Sequence, residues 1–106
     1  MAIYKIGGGM IIALGATTVE QTGFIAGRTY EFTVSCAGAS GAGSTALVKW
    51  GGDNATIADA GFDFAVPQGT LVRAVCPAST TACNVIEAEA GTVATATVVV
   101  AEVERR

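Results

Sequence analysis

Arg28 to Cys36, RTYEFTVSC, is the stretch that most restricts what this chain can fold into. Tyr30, Phe32, Val34 and Cys36 share one parity; Thr29, Glu31, Thr33 and Ser35 share the other. A strand turns successive side chains to opposite faces, so these residues describe a strand with one apolar and one wet face. Their β-branched and aromatic content supports that reading. The apolar face must be covered, and the remaining sequence offers strands to cover it. Helical spacing nowhere persists beyond about one turn.

Met10 to Leu14 reads as a strand, Thr17 to Gly23 is polar, and Gly23 to Gly27 supplies a turn. Thr45 to Trp50 turns Ala46, Val48 and Trp50 inward, and Gly51-Gly52-Asp53-Asn54 is a turn cluster. Phe62, Phe64 and Val66 alternate with Asp63 and Ala65 until Pro67-Gln68-Gly69 turns the chain. In Leu71 to Cys76, placing Arg73 outward turns Val72, Ala74 and Cys76 inward and leaves Leu71 and Val75 flanking Arg73. Pro77 to Ala82 has the size of a hairpin loop. Asn84 to Ala90 follows, with Ile86, Ala88 and Ala90 inward and Glu87 and Glu89 outward. Thr92 to Val103 is a long last strand whose Val98-Val99-Val100 is apolar on both faces. Such a strand calls for cover on both sides, from a second sheet and from a partner subunit. About seven short strands joined by Gly-rich turns predict an all-β fold, an antiparallel β-sandwich or jelly-roll-like, with little or no helix.

The chain has 106 residues, enough for one domain. A chain of this size buries about 65% of its unfolded surface and folds without metals or disulfides. Charged residues are only 14% of the sequence, against about 25% in ordinary domains. Two explanations stand side by side: a small Thr-covered sandwich, or a surface largely covered by other subunits. Residues 1–9 read as an apolar, Gly-rich N-terminal arm ahead of a single sandwich domain over 10–106, or as a frayed first strand. If partners bind, Ile3, Tyr4 and Ile6 of that arm and Val99 and Val103 of the last strand are the residues that would meet them. The net charge is −3, and the six basic residues are scattered with no interleaved aromatics, which argues against nucleic acid. No apolar run approaches the roughly 20 residues of a membrane helix. Ile6 to Ala16 faintly resembles a signal segment, but three consecutive glycines make a poor apolar helix.

The sequence contains no histidine, which removes the commonest general base and metal ligand. No catalytic residue, cofactor or metal site is expected. Glu31 and Glu87, both at outward positions, are the carboxylate pair a glycosidase would have to use. Asp53, Asn54, Asp59 and Asp63 gather oxygen ligands without the EF-hand spacing, and turns use the same residues. Ala37 to Ser44 is a small-residue loop that lacks the Lys-Ser/Thr ending of a phosphate loop. Asn54-Ala55-Thr56 fits a glycosylation sequon, relevant only in a eukaryotic secretory pathway. Cys76 and Cys83 flank the loop at Pro77 to Ala82 and pair as a disulfide if that loop is a hairpin; reduced, buried thiols are the other reading, and Cys36 sits on the apolar face.

An apolar start is followed by an Ala/Gly/Thr/Val-rich sandwich with the strands YEFTVS, ALVKWGGD, FDFAVPQGT and TATVVVAEV. This texture resembles small β-sandwich virion proteins of tailed bacteriophages, of the head-decoration (cement) type. The resemblance implies a structural protein located in the virion. Its partners would be the major capsid protein or other virion proteins, and it would be a homo-oligomer in the assembly, with no nucleic acid and no membrane. Two other functions stay open. One is a carbohydrate- or ligand-binding module of a tail or fibre, which needs exposed aromatics among Tyr4, Phe24 and Trp50. The other is a self-polymerising surface filament subunit that donates its N-terminal segment as a strand.

Overall fold

A computed structural model of the chain describes residues 3–5, 9–15, 17–36, 45–56, 61–88 and 96–105. Its strands are β1 (Ile3–Lys5), β2 (Met10–Ala13), β3 (Val19–Thr22), β4 (Thr29–Cys36), β5 (Thr45–Trp50), β6 (Phe64–Pro67), β7 (Val72–Val75), β8 (Ala82–Glu87) and β9 (Ala96–Arg105). There is no helix among the described residues. The first sheet runs β1-β9-β4-β7, with β2 also on β9; the second runs β3-β8-β5-β6. Every pairing is antiparallel.

The pairings are nested. β2 pairs with β9, β3 with β8, β4 with β7 and β5 with β6, so the chain is one long hairpin with its tip between β5 and β6. Lateral pairing of β4 with β9 and of β5 with β8 rolls that hairpin into two facing sheets. This is the jelly-roll topology, an antiparallel double sheet. β1 and β2 follow one another along the same strand, β9, giving eight strand positions rather than about seven. The additional strand is β3, whose sequence VEQT has little apolar character and gains its partner only through β8.

Residues 3–5 are a strand of the domain's own sheet, with Ile3 beside Arg105 and Lys5 beside Val103. The rest of the expected arm, apart from Gly9, lies outside the described residues. Two further expectations need correction. β8 faces the core with Cys83, Val85 and Glu87, the opposite phase to that expected from Ile86 and Ala88. Its phase is dictated by β5, which sets Trp50 beside Cys83, Val48 beside Val85 and Ala46 beside Glu87. Ile86 then stands next to Leu47 on the other face. The carboxylate of Glu87, 2% exposed, accepts a hydrogen bond from the Thr45 N–H at 3.2 Å, a partner that buried charge requires. Second, β7 and β8 lie in different sheets, so Pro77 to Ala82 is a crossing between sheets and no hairpin.

The core lies where the sheets face each other. Tyr30, Phe32 and Val34 of β4 and Ile12, Val98 and Val100 from the first sheet meet Ala46, Val48, Val66, Cys83 and Val85 from the second. Five aromatic rings bind the layers together. Phe32 packs edge-on against Trp50 (5.9 Å between centroids) and Phe64 (5.1 Å), both from the second sheet. Phe24, in the β3–β4 connection, meets Tyr30 at 4.7 Å and Trp50 at 5.2 Å. Such pairs add roughly 0.5–1.5 kcal/mol beyond their buried area. The Tyr30 hydroxyl accepts the Ile25 N–H (2.8 Å) and donates to Glu102 (3.4 Å), so its polar end is satisfied where the ring is buried.

The crossing from β6 to β7 depends on one glycine. The Thr70 N–H donates to the Pro67 carbonyl at 3.1 Å, and Gly69, third in that turn, has φ of 83°. A type II turn demands that conformation, which a β-carbon disfavours by roughly 1–2 kcal/mol. Nothing lies within 4 Å of a β-carbon built there, so the cost of substitution is conformational and not a clash. Gly69→Ala is expected to lower stability by about 1 kcal/mol and Tm by about 4–8 °C. Thermal unfolding followed by circular dichroism checks this; an unchanged Tm contradicts the turn assignment.

Candidate functional site

Since Ile12, Val98 and Phe32 point into the core, the adjacent positions Ile11, Val99 and Thr33 point out of the first sheet. Register places Ile11 beside Val99 and Val99 beside Thr33, a row across three strands. Leu71 and Val75 share the outward parity of Arg73 at β7. Among the described residues, the exposed Ile11 (71%), Val75 and Val99 (37%) thus belong to this one face, and the exposed Leu71, just ahead of β7, shares its parity; Ile25 is exposed elsewhere. Burying such side chains on a partner is favourable by about 25 cal/mol per Å² of apolar surface.

The face is also electrically neutral among the described side chains. Glu31 and Arg73 are opposite one another in register and form an ion pair at 3.3 Å, with Arg73 Nε donating. Arg73 is half exposed, so the pair contributes little stability in water. Its importance is that neither charge is left unmatched when water is removed from the face. The second sheet differs. Its outer face carries the polar row Glu20, Asn84 and Lys49. Asn84 is buried there by a hydrogen bond from its side-chain N–H to the Gly51 carbonyl at 3.0 Å.

The residues expected to meet partners divide. Val99 stands on the neutral face. Val103 does not offer itself: it is 4% exposed, flanked by β1 at Lys5 and by β4 at Thr29. Ile3 and Tyr4 fall in β1 beside Arg105 and Glu104, and Ile6 lies outside the described residues. Ile11 was not foreseen, because MIIA has no alternation and only its register with β9 reveals which isoleucine faces out. Leu71 and Val75 were legible as the residues flanking Arg73.

The groups able to carry chemistry are dispersed among the described residues. Glu31 sits on the first sheet and Glu87 on the second, buried, so they are not neighbours on one face. Asp63 accepts the Trp50 N–H at 2.7 Å and acts as a backbone tether beside β5. Asp53 and Asn54 are exposed in their turn, and Asp59 lies outside the described residues. No group of three or more His, Cys, Asp or Glu side chains among the described residues is arranged to hold a metal. Phe24 is 2% exposed and Trp50 packs within the aromatic cluster, so neither forms an open sugar platform. Arg28 and Glu102 form an ion pair at 3.3 Å beside Tyr30.

Cys76 and Cys83 are free, buried thiols, which corrects the disulfide expectation. Cys76 directly follows β7 and Cys83 lies in β8, and the Cys76 Sγ–H donates to the Thr80 carbonyl at 3.3 Å. Burial pushes the Cys83 thiol up to about 12, with the neighbouring Cys76 and Glu20 adding to the effect. Burial likewise raises Cys76 and, with Glu102 contributing, the Tyr30 hydroxyl.

No family model, curated protein or solved structure matches the chain.

All three raised groups are held neutral by the fold. When pH exceeds their unfolded values of 9.0 for cysteine and 10.0 for tyrosine, the unfolded chain loses protons that the folded chain retains. Their contribution to stability is therefore intact below about pH 9 and is lost as pH climbs towards 12. Urea titrations are expected to give the same midpoint at about pH 7 and 8 and a progressively lower one above about pH 9. At about pH 8, mass spectrometry should find Cys83 unmodified by iodoacetamide until the protein is unfolded. Rapid native labelling of Cys83 contradicts its buried placement.

Proposed function

We propose that this chain is a structural virion protein of the capsid-decoration (cement) type, which binds and stabilises a phage head through protein–protein contacts and performs no catalysis. The observation that carries the reading is the neutral outer face of the first sheet, with Ile11, Val99, Leu71 and Val75 exposed on it. A lone soluble domain has little reason to gather its exposed apolar side chains on one face. A protein that adheres to a repeating shell does, because a modest contact is multiplied by the symmetry of the shell. The jelly roll is among the architectures on which viral capsid domains are built, which supports the reading by analogy of fold. The resemblance of YEFTVS, ALVKWGGD, FDFAVPQGT and TATVVVAEV to decoration proteins points the same way. The partners are then the major capsid protein or other virion proteins, and the place of action is the virion.

The alternatives draw less support. A tail or fibre module that binds sugar needs open aromatic rings, and Phe24 and Trp50 are committed to the core cluster. A filament subunit needs a spare strand, and Ile3–Lys5 already pairs with the end of β9.

The test is reconstitution on heads purified without the chain. Added wild-type protein is expected to co-sediment at a stoichiometry fixed by the lattice and to raise the temperature at which the heads release their DNA. Val99→Asp and Ile11→Asp, each verified as folded by circular dichroism, are expected to weaken attachment by about tenfold or more, as burial of an unpaired charge implies. Failure of the wild-type protein to bind, or undiminished binding by both variants, overturns the reading.

A further inference from the structure

The geometry points to a second surface with a distinct occupant: the edge of β2 that no described strand covers pairs with β2 of a second copy of this chain. This inference rests on strand register alone and is independent of the virion reading.

The hydrogen-bond phase of β2 establishes what its edge presents. The Leu14 N–H donates to the Ala96 carbonyl at 2.9 Å, one step beyond Ala13 opposite Thr97. In an antiparallel ladder the bonded pairs alternate, so Ile12 with Val98 and Met10 with Val100 are the bonded pairs. The N–H and C=O groups of Ile11 and Ala13 therefore point away from β9. β4 occupies the other side of β9, so that outward direction is the edge of the sheet. Gly15 continues the same phase, and its carbonyl turns out to accept the Glu87 N–H of the other sheet at 3.1 Å. Ile11 and Ala13 are both exposed.

Sheet edges invite pairing, and proteins usually guard them with charge, proline or a bulge. The other three edges are guarded here. β3 carries the exposed Glu20, β6 ends in Pro67, and β7 has the outward Arg73. β2, with the sequence MIIA, has none of these devices.

The edge is self-complementary. An antiparallel pairing centred on Ile12 sets Ile11 opposite Ala13 of the second copy and Ala13 opposite its Ile11. Each of those two pairs exchanges both N–H···O bonds, giving four backbone bonds about a two-fold axis. The first sheets of both copies join into one continuous sheet. β2 has no charge, so two acidic chains of net charge −3 meet there without a local repulsion.

The experiment combines native mass with amide exchange on the wild-type protein. Light scattering across a wide concentration range is expected to show a monomer passing to a closed dimer. Exchange followed by NMR is expected to find the Met10 and Ile12 amides protected at every concentration. The Ile11 and Ala13 amides should gain about tenfold protection as the dimer fills. Ala13→Pro removes one edge donor without touching a bond to β9, and is expected to shift the dimer constant by at least about tenfold. Val75→Asp, on the same neutral face but in β7 at the far side of the sheet, is expected to leave the dimer intact. A monomer at all concentrations overturns the inference. So does a dimer whose Ile11 and Ala13 amides exchange freely, or one abolished by Val75→Asp, which would indicate face-to-face association. The exchange measurement needs no variant, so it decides the matter even if Ala13→Pro fails to fold.

Discussion

Everything in this molecule depends on the packing of Phe32 between the two sheets. Its ring leaves β4, the strand hydrogen-bonded on both sides by β9 and β7, and lodges against Trp50 and Phe64 of the facing layer. The rest of the apolar content is mainly valine, isoleucine and alanine, which fill space but reach little across a gap of about 10 Å between sheets. Aromatic rings span that gap. Five of them cluster around Phe32 and Phe24 and so fix which residues of each sheet face inward. Once β4 is oriented by Phe32, pairing imposes the phase of β9 and β7, and β9 imposes that of β2. The surface chemistry then follows from the core. Ile11 and Val99 are exposed because Ile12 and Val98 are needed inside.

This dependence accounts for the contrast between the two outer faces. The second sheet turns Glu20 and Lys49 to its outer side, together with the buried Asn84 and Leu47. The first sheet turns out isoleucine, valine and threonine, with its two described charges cancelling across neighbouring strands. The proposed function assigns the outer face of the first sheet to a partner, and the low overall charge, 14% of residues, is compatible with that assignment. The reading as a decoration protein brings together this asymmetry and the jelly-roll fold.

How much of this the amino-acid sequence reveals depends on whether the information is local. RTYEFTVSC declares its strand and its inward face because alternation is a property of neighbours. The Pro67-Gln68-Gly69 turn is legible for the same reason, since its proline and glycine each meet a conformational demand of the turn itself. β3 is not legible: VEQT becomes a strand through pairing with β8, more than sixty residues away. The phase of β8 is misread because Ile86 and Ala88 suggest one face while β5, through Val48 and Trp50, imposes the other. The site divides along the same line. Val99 announces itself by standing in a run of valines. Ile11 is identified only by its partner in β9, and Val103 is buried although it shares the parity of Val99. Cys76 and Cys83 are neighbours in the core yet both are free thiols, a distinction that no spacing of two cysteines can convey.

The central claim is that the outer face of the β2-β9-β4-β7 sheet is the surface by which this protein attaches to its assembly. Hydroxyl-radical footprinting of the free protein and of the protein in purified particles tests it most directly. The account predicts that Ile11, Leu71, Val75 and Val99 lose reactivity on assembly while the outer face around Glu20 and Lys49 keeps it. Protection centred on Glu20, Asn84 and Lys49, with Ile11 and Val99 as reactive as in the free protein, would contradict it.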